Sequence, residues 1–164
     1  MTRAELSSQP VLQPHAVRFR DSLRVVLAQM PHTPNAQSPN ARLSLDSAVI
    51  MCEHDRWKTA REVMLQIIES STEEDSIHWE ALFQLGECAA LRGDYSVAAA
   101  ILGEVAYREQ GPPSDVHARA IVRLGHVFCQ LGRFADAKTQ FARLRNLYPY
   151  SLYLKVADCK VISR

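Results

Sequence analysis

His126 and Cys129 stand three residues apart in a helical stretch, the tightest pair in the chain with metal-ligand chemistry. A zinc site needs four protein ligands, or three and a water, and no third donor recurs beside them. Both side chains therefore read as packed or surface-lining. The acidic run Glu73, Glu74, Asp75 lacks the alternating ligands and central Gly of a calcium loop, and reads as a solvated cap that favours the next helix N-terminus. The segment FARLRNLYPYSLYLK interleaves basic residues with Tyr148, Tyr150 and Tyr153, a pattern that could stack RNA bases. Packing accounts for about half of these aromatics, and a formal net charge of +1 supplies no general attraction for a polyanion. There is no Gly-x-Ser-x-Gly elbow, no phosphate-cradling Gly loop and no HExxH. No catalytic, cofactor-binding or metal-binding residues are expected, and the chain reads as not being an enzyme.

Four cysteines, Cys52, Cys88, Cys129 and Cys159, lie about one repeat length apart and form no CxxC pair. They read as small buried hydrophobes with free thiols, which implies a reducing compartment. No run approaches the ~18 apolar residues of a membrane span. The expected location is the cytoplasm. A mitochondrial matrix address is the alternative, because Met1–Met30 carries Arg3, Arg18, Arg20 and Arg24 among several Ser.

The elements that would position any site are helices. Pro10 and Pro14 bound an irregular leader, and Pro31, Pro34 and Pro39 turn MPHTPNAQSPNA into a linker. Between them, Val17, Leu23, Val26, Leu27 and Met30 fall near helical spacing, so residues 1–40 form a leader with one amphipathic helix over about 16–30. That helix is expected to cap the first repeat, or else to bind a partner or address an organelle. Residues 41–164 read as a helical repeat domain. Asp55, Gly93 and Gly132 each interrupt an apolar-periodic run, and Trp57, Tyr95 or Phe134 follows closely. Helical hairpins with tight turns are implied. Longer breaks fall at SSTEEDS and REQGPPSD, where N-cap chemistry is available. Period-two alternation never persists. The expectation is an all-α chain of about seven or eight helices, with Ser151–Arg164 forming a final capping helix.

Two segments repeat. In IVRLGHVFCQLGRFADAKTQFARLRNLYP the residues Leu124, Gly125, Phe128, Gly132, Phe134, Ala137, Phe141, Leu144 and Pro149 fall in a pattern that resembles the tetratricopeptide repeat family. Leu82, Leu85, Gly86, Ala89, Gly93, Tyr95, Ala98, Leu102 and Val105 repeat it, and a degenerate copy with Trp57, Ala60, Met64 and Ile67 precedes them. Gly86, Ala89 and Ala98 are small where paired helices would cross closely. Leu82, Leu102, Ile121, Phe141 and Leu144 form the stripe that a neighbouring hairpin must bury. The resemblance implies a short right-handed α-solenoid of about three repeats, the first degenerate. Leu85 and Leu124 are 39 positions apart, against ~34 for the family, so the inter-repeat loops must hold extra residues.

The resemblance also implies a concave groove lined by the first helix of each repeat. Its residues here would be Leu45, Val49, Cys52, Glu53, Glu80, Phe83, Glu87, Leu91, Arg119, Val122, Arg123, His126 and Gln130. Leu45, Phe83 and Val122 would offer apolar anchors, and some of these positions belong as readily to the core. The family subclass that grips acidic chaperone tails carries a Lys and an Asn where this chain has Leu45 and Val49, so that ligand is not expected. The implied function is a protein-binding scaffold or adaptor, a subunit of a larger complex that holds a partner peptide or helix or stacks with other helical-repeat subunits. The alternatives are a chaperone of a bacterial type III secretion system and an RNA-binding helical repeat. The partner is expected to be protein, with neither nucleic acid nor a membrane span indicated; self-association is compatible with the pattern.

Overall fold

The three interruptions of the apolar pattern are the turns of three helical hairpins. A computed structural model describes residues 40–162. The leader, its helix over 16–30 and the linker's prolines lie outside the described residues. Within them, α1 (Ala41–Glu53) pairs with α2 (Trp57–Ser70), α3 (Ser76–Leu91) with α4 (Tyr95–Ala106), and α5 (Ser114–Gln130) with α6 (Phe134–Leu147). No strand occurs among the described residues.

Each hairpin turns in the same way. Asp55, Gly93 and Gly132 adopt left-handed φ values of 62°, 79° and 70°. Glycine takes this conformation without a Cβ penalty, and Asp tolerates it better than most residues. The next amide reaches back five residues, Arg56 to the Met51 carbonyl, Asp94 to Ala89 and Arg133 to Phe128. A second bond joins Asp55 to Cys52, Gly93 to Ala90 and Gly132 to Cys129. These paired bonds satisfy the last carbonyls of each first helix and aim the second helix back along it.

Small residues then set how closely the helices cross. A Cβ on Gly86 would lie 2.7 Å from Leu102 Cγ, and one on Gly125 would enter the Phe141 ring. The expected stripe is buried at Leu82, Leu102, Ile121, Phe141 and Leu144, and one continuous core runs through all three hairpins. Trp57 does not enter that core completely; the Arg92 guanidinium covers its ring at 3.6 Å. Phe134, expected behind the third turn, is 57% exposed.

The extra loop residues are packed. Trp79 is buried and donates its indole N–H to the Glu73 carbonyl at 2.8 Å. Arg108 grips the Glu73 carboxylate at 2.7 and 3.2 Å. A Cβ on Gly111 would come 2.8 Å from the indole, so the second loop lies directly on Trp79. The wider repeat spacing thus feeds a loop-to-loop clamp along one edge. Glu73 is part of that clamp, and Asp75 accepts from the Thr72 amide and hydroxyl without a side-chain cap bond to α3. The acidic run therefore shapes the loop, where a simple helix cap was expected.

Two further expectations need correction. The cysteines are not free: Cys52 bonds to Cys88 and Cys129 to Cys159. Each pair joins side chains that only repeat stacking brings together, which is why no local motif announced them. The chain end is not a capping α-helix either. Within the described residues it forms two short 3-10 helices, Leu152–Val156 and Cys159–Ile162, lying chiefly against α5. Helix α6 shows solvent Lys138, Ala142 and Arg145 on its outer side, so it offers little apolar surface for a full helix to cover.

Candidate interaction face

The first helices α1, α3 and α5 lie side by side, and equivalent residues form rows across them. The row Leu45, Phe83, Val122 is buried, with exposures of 1%, 6% and 6%. These apolar side chains belong to the core and present no open pocket. Phe83 also carries the Arg119 guanidinium at 4.6 Å over its ring.

A second row, Arg42, Glu80, Arg119, alternates in charge. Arg119 donates to both Glu80 oxygens, at 2.5 and 3.2 Å, and to Asp115 at 2.9 Å. Burial pushes the Glu80 carboxyl up, but hydrogen bonds from Arg119 and Gln84 and the charges of Arg119 and Arg42 outweigh it and hold the group below its ordinary range. Burial likewise disfavours the Arg119 cation, and Glu80 and Asp115 more than restore it. Arg123 of α5 pairs with Glu87 of α3 in the same sense. Charges that could select a partner are therefore largely spent on joining the second repeat to the third.

The remaining rows are open. Val49, Glu87 and His126 are half-buried, while Glu53, Leu91 and Gln130 face solvent, Leu91 at 62%. Cys52 is tied to Cys88 between α1 and α3. His126 is occupied by the chain end: its Nε2 donates to the Val156 carbonyl at 2.6 Å, and its ring meets Phe141 edge-on. Burial pushes this imidazole below its ordinary value, and the nearby Arg123 adds to the effect. Tyr153 of the chain end donates to Asp115 at 3.0 Å, and Cys159 bonds to Cys129. The chain end thus lies beside α5 much as α5 lies beside α3. Neither its shape nor its disulfide had a local signal, although the matched positions of Cys52 and Cys129 in successive repeats were visible.

A separate polar cluster escaped the sequence reading. His117 is buried; its Nε2 donates to the Ala106 carbonyl at 3.0 Å, so Nδ1 accepts from the Tyr148 hydroxyl at 2.6 Å. Arg143 donates to the same carbonyl and to Gln140, which in turn donates to Tyr107. Every polar atom in the cluster finds a partner, which marks it as internal bracing. No group of three or more His, Cys, Asp or Glu with metal-binding geometry occurs among the described residues.

Residues 80–110 and 119–151 match the family model described as tetratricopeptide repeat. The chain therefore carries two repeats of the tetratricopeptide family, α3–α4 and α5–α6, with the α1–α2 hairpin stacked before them in the same arrangement. No curated protein and no solved structure matched the chain. Repeats of this family point to a protein–protein interaction module. No helix among the described residues is long and apolar enough to cross a membrane.

Proposed function

We propose that this protein is a non-catalytic adaptor or structural subunit that holds a segment of a protein partner across α1, α3 and α5. The observation that carries the reading is the pair of open rows on that face: Val49, Glu87, His126 and Glu53, Leu91, Gln130. Leu91 is the apolar anchor, and Glu53 and Glu87 favour a partner with basic or amide-rich flanks. The buried row Leu45, Phe83, Val122 and the paired residues Glu80, Arg119 and Arg123 set the spacing of the helices beneath. We place the protein where thiols are oxidised, in preference to the cytoplasm or the mitochondrial matrix, because two disulfides join its helices.

Affinity purification from the source cells, with the native chain and Leu91→Arg compared, tests the reading. A partner enriched by the native chain and lost from the variant, with the helical spectrum unchanged, is the expected result. An identical set of co-purifying proteins would remove the face from consideration.

A further inference from the structure

Repeat register identifies a second surface. Leu43, Ser47 and Ile50 of α1 correspond to Ala81, Leu85 and Cys88 of α3 and to Ala120, Leu124 and Val127 of α5. All six counterparts are buried against the hairpin that precedes them, and at Cys88 the contact is a covalent bond to Cys52. On α1 the same side is bare: Leu43 is 66% and Ile50 is 55% exposed. Ser47, the polar member of the stripe, turns its hydroxyl onto the Leu43 carbonyl at 2.9 Å. An apolar neighbour could therefore cover the stripe without stranding a donor.

What precedes α1 is 39 residues of the same chain, entering at Asn40 on this very helix. The linker from Pro31 to Asn40 can reach ~30 Å, whereas α1 with its 13 residues is ~20 Å long. Residues 16–30 would make a helix of ~22 Å, matched in length, with Val17, Leu23, Val26, Leu27 and Met30 near one face. We propose that residues 16–30 dock as an amphipathic helix on Leu43, Ser47 and Ile50, in the place that α2 takes against α3 and α4 against α5. A second copy of the chain is the weaker occupant. Two exposed side chains cannot approach the ~1,200 Å² of a stable dimer interface, while a short tether holds the leader at an effective concentration of about millimolar. The docked leader closes this end of the stack, so other helical-repeat subunits cannot add there.

Full-length protein with the photo-crosslinking residue p-benzoylphenylalanine in place of Ser47 provides the test. After irradiation and digestion, adducts joining position 47 to residues 16–30 within one chain are expected. Adducts of dimer mass, or adducts only to other segments, would overturn the proposal. Hydrogen exchange on the native chain and Ile50→Asp gives an independent readout. Amides in 16–30 should be protected in the native chain and exchange at least about tenfold faster in the variant, with α3 to α6 unchanged; absence of protection in the native chain would equally overturn it.

Discussion

The junction between the second and third repeats differs in kind from those on either side of it. At the centre, α4 and α5 pack through Ile101, Ala106, Ala120 and Ile121, and the ion pairs Glu80–Arg119 and Glu87–Arg123 bridge α3 to α5. No disulfide crosses there. The flanking junctions carry one disulfide each, Cys52–Cys88 toward the degenerate first repeat and Cys129–Cys159 toward the short chain end. The difference shows where noncovalent packing suffices. Two full repeats bury a continuous interface, whereas a repeat with Ser47 and Ala48 in place of Leu and Gly, or a pair of 3-10 turns, covers less apolar surface. There a cross-link that restricts the unfolded chain supplies what burial does not.

The largest expected effect comes from opening a flank. Replacing Cys52 and Cys88 by Ser should lower stability by about 2 to 4 kcal/mol, the range for a cross-link closing a loop of this order. Denaturant unfolding of oxidised native and variant chains measures it, and equal midpoints would mean that the first repeat needs no covalent tie. The matching change at Cys129 and Cys159 should free the chain end, with amides of 152–162 losing protection while those of α3 and α4 keep theirs.

Gly125→Leu attacks the central packing, because any side chain there meets Phe141. A loss of about 1 to 3 kcal/mol is expected from overpacking. An unchanged midpoint would show that α5 and α6 cross elsewhere.

Arg119→Ala removes the bridge from Glu80, whose side chain is only 11% exposed. Leaving that carboxylate with Gln84 alone should cost about 1 to 2 kcal/mol, less than a fully buried pair because Arg119 itself is partly solvated. Glu80→Gln combined with Arg119→Ala should recover part of the loss, and a double variant no better than the single one would deny the coupling.

Acid should produce the mildest change. Burial holds His78, His117 and His126 below their ordinary values. Their neutral forms are favoured by the fold, so their contribution is complete above the unfolded histidine value near pH 6.5 and declines as pH falls toward the folded values. Thermal midpoints should therefore drop between pH 7 and pH 5.5, and the drop should shrink in His117→Gln. A midpoint that rises over this range would contradict the tautomer assigned to His117.

Residue types along the chain determined the hairpins. Asp55, Gly93 and Gly132 announce left-handed turns, and the stripe through Leu82, Leu102, Ile121, Phe141 and Leu144 announces what must be buried, because both depend on neighbours within about one helical hairpin. The face of the first helices was legible in outline, since register alone locates Val49, Glu87 and His126 in one row and Glu53, Leu91 and Gln130 in the next. Only the tertiary structure decided which of those rows stays open. Whether Phe83 lies under a guanidinium, Arg119 is spent on Glu80, or Cys52 and Cys129 find partners depends on residues 30 or more positions away. Their approach is set by how one hairpin rotates on the next, a geometry fixed by packing across the whole stack that no local pattern encodes.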